Sequence, residues 1–152
     1  GDTLNDQKNI YDEFGNNLKV LRKRNGSYYL SLESKFNKQN EVISRHWYNK
    51  NGQLLKIEKF DYSKDGKSHS YYKSNEKGKL ILQSKTVELS PKIYKTTYYE
   101  LGRGILYGIP IIRKKGYSSI EEKDEQDNLK RLEVFDKRGN LNTSVYVTYK
   151  EL

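Results

Sequence analysis

Apolar residues along this chain fall in short runs between polar turns, and within the runs they alternate with a period of two. The last run is the clearest: Val145, Val147 and Tyr149 alternate with Tyr146, Thr148 and Lys150, as in a strand with one buried face. Runs of this kind, rich in Val, Ile, Thr and Tyr, cover 20–24, 28–34, 42–48, 54–60, 69–73, 80–86, 93–99, 129–135 and 141–149. Between them stand Asn25-Gly26, Gln39-Asn40, Asn51-Gly52, Asp65-Gly66, Lys77-Gly78 and Arg138-Gly139. Strands joined by tight turns lie beside their predecessors. The pattern therefore predicts an all-β fold: an extended, twisted antiparallel meander of successive hairpins, open or partly rolled, with little or no helix.

One cassette recurs at the turns: an aromatic residue, a few polar residues, a Gly or Asn, then an aliphatic residue. It is cleanest in Tyr48-Asn49-Lys50-Asn51-Gly52-Gln53-Leu54 and Phe135-Asp136-Lys137-Arg138-Gly139-Asn140-Leu141, with related copies starting at Tyr11, Phe36 and Tyr72. Gly and Asn accept positive φ at low cost, and the backbone twist of such a turn matches its flanking strands, so each copy predicts a β-hairpin. Residues 1–10 are polar and read as a flexible N-terminus or an edge strand, and 11–152 as a single β-meander domain.

Two segments depart from the rhythm. Residues 101–112 are the most apolar and Gly-rich part of the chain, and their glycines suit a bulge or tight crossing where the sheet bends. Ser118-Ser119-Ile120-Glu121-Glu122 is a passable helix start, with Ser and Glu at capping-box spacing. Residues 123–128 lack an apolar stripe and read as an exposed loop or single turn.

Composition makes the expected core thin. Leu, Ile, Val and Phe supply 36 of 152 residues, above the roughly 20% below which disorder is expected, and Ala, Met and Cys are absent. Fourteen Tyr residues make up part of the deficit, since a Tyr ring packs on a sheet while its hydroxyl stays wet. The net charge of +9 is spread evenly, +4 on residues 1–76 and +5 on 77–152, with no basic tail. Such a surface suits solubility and guards strand edges, and leaves nucleic acid open as a partner. No apolar run is long enough to span a bilayer as a helix. The chain begins Gly1-Asp2, and the expectation is a secreted, periplasmic or cell-surface protein whose signal has been removed.

Candidate chemistry is sparse. His46 and His69 would suit general acid and base work in a small basic ribonuclease, yet both fall in strand-like runs and a structural role is the simpler expectation. Glu121, Glu122, Asp124, Glu125 and Asp127 match no metal-loop pattern, and the glycines near 102–108 match no nucleotide fingerprint, so no metal, cofactor or catalytic residue is expected. The Tyr-rich, Lys-rich strands are the best binding candidates. Tyr28-Tyr29, Trp47-Tyr48, Tyr71-Tyr72 and Tyr98-Tyr99 put neighbouring aromatics on opposite faces, so one member of each pair can be displayed.

The cassettes resemble the units of bacterial MORN-like repeat proteins and, less closely, the Tyr-Asp repeats of Rhs-type shells, as in Tyr11-Asp12-Glu13-Phe14-Gly15. The resemblance implies hairpin architecture and does not specify a function. In composition the chain also looks like small exported proteins of unknown function from bacteria such as Bacteroidetes. Taken together, the expectation is a non-enzymatic binding module that contacts a glycan, an envelope polymer or a protein through Tyr29, Trp47, Tyr48, Tyr72, Tyr99, Arg113 and Lys114. A protein-partner module, immunity or structural, acting through a sheet face or edge is the first alternative, and a ribonuclease toxin the second.

Overall fold

The computed structural model describes residues 6–63, 66–106 and 109–149. Their strands are β1 (Gln7–Tyr11), β2 (Asn17–Arg24), β3 (Ser27–Phe36), β4 (Val42–Tyr48), β5 (Leu54–Ser63), β6 (Gly66–Ser74), β7 (Leu80–Ser90), β8 (Ile93–Tyr98), β9 (Gly102–Leu106), β10 (Ile109–Arg113), β11 (Ser118–Lys123), β12 (Leu129–Phe135) and β13 (Leu141–Tyr146). No helix is among the described residues. Eleven strands form one sheet in the order β1 to β8, then β11, β12 and β13, an antiparallel meander whose order is open at β1 and β13. The polar N-terminal stretch enters this sheet as the edge strand β1.

Two expectations are corrected. The Gly-rich segment does not bend the main sheet; β9 and β10 pair with each other as a separate two-stranded ribbon, with Gly104 opposite Ile111. The edge of β8 is occupied by β11, from Ser118 opposite Thr97 to Glu122 opposite Ile93. Tyr107 and Gly108 lie outside the described residues. The supposed helix start at 118–122 is strand β11, held on both sides by β8 and β12. Its acidic side chains are tolerated because Glu122 meets Arg131 directly across the sheet at 3.2 Å and Lys130 at 2.8 Å.

Six turns share one construction. In each, an Asp or Asn accepts two backbone N–H groups on its Oδ1, from the residues two and four positions on. The bonds run from Phe14 and Asn16 to Asp12, Gln39 and Glu41 to Asn37, Asn51 and Gln53 to Asn49, Lys77 and Lys79 to Asn75, Gln126 and Asn128 to Asp124, and Arg138 and Asn140 to Asp136. The fourth residue of each turn has positive φ: Gly15, Asn40, Gly52, Gly78, Asp127 or Gly139. This is a tight turn closed by a left-handed bulge residue. In five of the six, the second side-chain group of the turn residue pairs with the side chain four positions on. Asp meets an Asn amide, as in Asn16 to Asp12 and Asn140 to Asp136, whereas Asn donates to Glu41 or Gln53. Donor and acceptor are thus matched in these five.

The same geometry explains the aromatic and the aliphatic at the cassette's ends. Phe36 faces Val42, Tyr48 faces Leu54 and Phe135 faces Leu141 as the first cross-strand pair beyond the turn. One step further in, the register slips by a residue in each hairpin, leaving Ile43, Leu55 or Asn142 unpaired. Each such bulge adds local twist.

By their contacts the residues divide into two compact units, Gly1–Asp61 with Tyr71–Ile81, and Tyr62–Ser70 with Leu82–Leu152. In the second, Leu129, Leu132 and Val134 form a buried cluster on β12, with Tyr117, Val145 and Val147 packed against it. Val145 and Val147 are the inward members of the alternating C-terminal run. Tyr98 is buried there too, its hydroxyl 3.1 Å from that of Ser119. In the first unit Ile57 is buried, as are the small polar residues Ser31 and Ser34. Ser31 satisfies its hydroxyl on the carbonyl of Val20.

Candidate functional site

Residues directly opposite in an antiparallel sheet share a face. Two rows on one face of the first unit follow from the registers. The first is Gln7, Arg22 and Tyr29 on β1 to β3; the second is Asn9, Val20, Leu32, Trp47 and Lys56 on β1 to β5. All eight residues line a groove of about 380 Å³, together with Asn17, Ser31, Tyr48 and Leu55. Ser31 and Leu55 are the unpaired bulge residues of β3 and β5. A bulge places two side chains where the pleat would place one, so it widens what the face can present.

Val20, Leu32 and Leu55 make the aliphatic part of the lining, and its other residues carry amides, hydroxyls, aromatic rings and cations. The Lys56 ammonium lies 3.9 Å from the centroid of the Trp47 ring and 5.9 Å from that of Tyr71. Tyr48 is half-buried at the turn end of β4. Burial first, and then the charge and hydrogen bond of Glu33, push its phenol above the usual range.

Of the seven residues singled out by sequence, Tyr29 and Trp47 come together here, and Tyr48 borders the groove with its phenol bonded to Glu33 of the opposite row. Tyr72 does not: its ring is 5.4 Å from the ammonium of Lys59, which belongs with Ser44 to the opposite face, and Tyr71 is the member of the doublet near Lys56. Tyr99 and Lys114 belong to the second unit, where Tyr99 is 38% exposed and Lys114 stands 5.7 Å from the ring of Tyr117. The Arg113 side chain lies outside the described residues. Sequence reasoning missed Gln7, Asn9, Arg22 and Lys56. The signal was the alternation of Gln7 and Asn9 in a stretch read as a flexible N-terminus or an edge strand, which becomes visible once β1 is taken as a paired strand.

The other chemical candidates are placed as follows. His46 faces away from the groove, in the row Lys19, Glu33, His46 and Ile57. Burial, and then the nearby charge of Lys35, lower its pKa below the ordinary imidazole value. His69 lies on β6. In the acidic cluster, Asp124 caps its turn, Asp127 pairs with Lys92 at 2.6 Å, and Glu122 pairs with Lys130 and Arg131. No group of three or more metal-ligating side chains occurs among the described residues. No helix long and apolar enough to cross a membrane occurs among the described residues, a statement that does not bear on strands.

No family model matches the chain, and no curated protein matches it. Among solved structures, a protein of unknown function from Bacteroides fragilis is similar at 16% identity and a TM-score of 0.44, over 77% of this chain and 92% of that one.

Proposed function

We propose that this chain is a non-enzymatic binding module that holds an extended sugar polymer, such as an envelope glycan, in the groove across β1 to β5. The observation that carries this reading is the gathering of Tyr29 and Trp47 with the amides of Gln7, Asn9 and Asn17 around one open depression. Aromatic faces stack on the apolar faces of sugar rings, and amides donate to and accept from sugar hydroxyls, so the lining matches both sides of a carbohydrate. The hairpin cassettes, akin to MORN-like units, are on this reading a scaffold whose strands carry the specificity. Their turn residues are consumed in holding the backbone.

The test is retardation of the purified protein in native gels cast with a panel of polysaccharides at near-physiological salt. At least one polysaccharide is expected to retard it, and Asn9→Ala and Trp47→Leu to reduce that retardation, with circular dichroism confirming that each variant is folded. Migration unaffected by every polysaccharide, or retardation indifferent to both substitutions, overturns the proposal.

A further inference from the structure

We infer that the ligand of this groove is an acidic glycan, a chain bearing uronate carboxylates, and that Arg22 and Lys56 receive them. The inference rests on the reading of the groove as a glycan site and narrows it to one class. Its basis is the charge that the groove itself presents. The groove is lined by two cations and, among the described residues, by no carboxylate. On the opposite face Lys19 lies 3.6 Å from Glu33 and Lys23 lies 3.0 Å from Asp6, while Lys35 and Lys59 lie in register with Ser44. Arg22 and Lys56 have no such acidic partner among the described residues. Cations gathered in an open depression and left unpaired hold a positive potential that an anionic ligand relieves.

Two further features fit a uronate chain. Arg presents a planar fork that accepts a carboxylate in bidentate fashion. Lys56 is held in place between the rings of Trp47 and Tyr71, so less side-chain freedom remains to be lost when it binds. Arg22 is on β2 and Lys56 on β5, three strand spacings apart or about 14 Å across the sheet. One ligand can meet both only if it is extended, which points to an oligosaccharide rather than a single sugar.

The experiment compares oligogalacturonate, its methyl ester and a neutral glucan in the same native gels at 0.15 M salt, with dextran sulfate as a purely electrostatic control. Arg22→Gln, Lys56→Gln and Lys38→Gln are run beside the unaltered protein, Lys38 being an exposed turn residue outside the groove. The expected result is at least tenfold tighter binding of the acid than of the ester, lost in the Arg22 and Lys56 variants and kept in the Lys38 variant. If ester and neutral glucan bind as well as the acid and the groove cations do not matter, the charge assignment is overturned while the glycan reading stands. If no glycan binds, both are overturned. If dextran sulfate binds best and Lys38→Gln weakens binding as much as the others, the attraction belongs to the +9 surface and the inference is overturned.

Discussion

The Lys56 ammonium stands 3.9 Å from the ring centroid of Trp47, the single tryptophan of the chain, and the two residues face each other directly across β4 and β5. The indole is therefore both a wall of the groove and a reporter of the charge beside it. Iodide is expected to quench Trp47 fluorescence more strongly than caesium ion, and Lys56→Met to shrink that difference. Loss of the contact costs about 0.5–1 kcal/mol, so the variant stays folded. Equal quenching by both ions would show that the indole does not sense a local positive field.

The turn construction makes a sharper stability prediction. Asn49→Ala removes the acceptor of two backbone N–H groups and is expected to cost about 1–2 kcal/mol in urea denaturation. Asn49→Asp keeps that acceptor, and Gln53 can turn its amide to donate as Asn140 does to Asp136, so its cost is expected to be far smaller. Equal losses in the two variants would mean that the side chain does not hold the turn.

Acid should act through the same turns. The carboxyls of Asp12 and Asp136 are held below their ordinary range, first by the side-chain amides of Asn16 and Asn140 and also by backbone N–H groups. A carboxyl depressed in the folded state stabilises it above the unfolded value and loses that contribution as pH falls. Melting temperatures are therefore expected to drop as pH goes below about 4, where free carboxyls begin to protonate. Asp136→Asn, which keeps the acceptor without the titration, should make that drop shallower. An unchanged slope would remove the turn carboxylates as its source.

In the second unit the core is small, so single residues carry much of it. Leu132 is fully buried between its β11 and β13 neighbours, and Leu132→Ala is expected to cost about 2–5 kcal/mol. Leu101, 74% exposed, should change stability by no more than about 0.5 kcal/mol when replaced by Ala. Chemical denaturation of the two variants checks the contrast.

The meander was legible because its turns are local. Asn-Gly, Lys-Gly and Arg-Gly mark the left-handed positions, and runs such as Val42 to Tyr48 alternate between them. Residues 123–128 were read as an exposed loop or single turn, and in the Asp124 turn there Asp127, rather than Gly, takes the positive φ of 65°. Strand β11 was illegible because Ser118 and Glu121 form a local helix signal that pairing on both sides overrides. Faces were harder still. The bulge at Leu55 shifts the alternation by one, so counting from Trp47 cannot decide whether Tyr71 or Tyr72 joins it. Only the registers and the position of Lys56 separate the doublet.

The most direct test of the groove as the binding site is a two-dimensional amide spectrum of the labelled protein titrated with oligogalacturonate. Trp47 contributes the one indole N–H resonance of the chain. That resonance is expected to move in step with the amides of Asn9, Arg22, Tyr29, Leu32 and Lys56 and to saturate with them. Shifts confined to the opposite row of Lys19, Glu33 and His46, or to the second unit, with the indole unmoved, would contradict it, as would a spectrum that does not change.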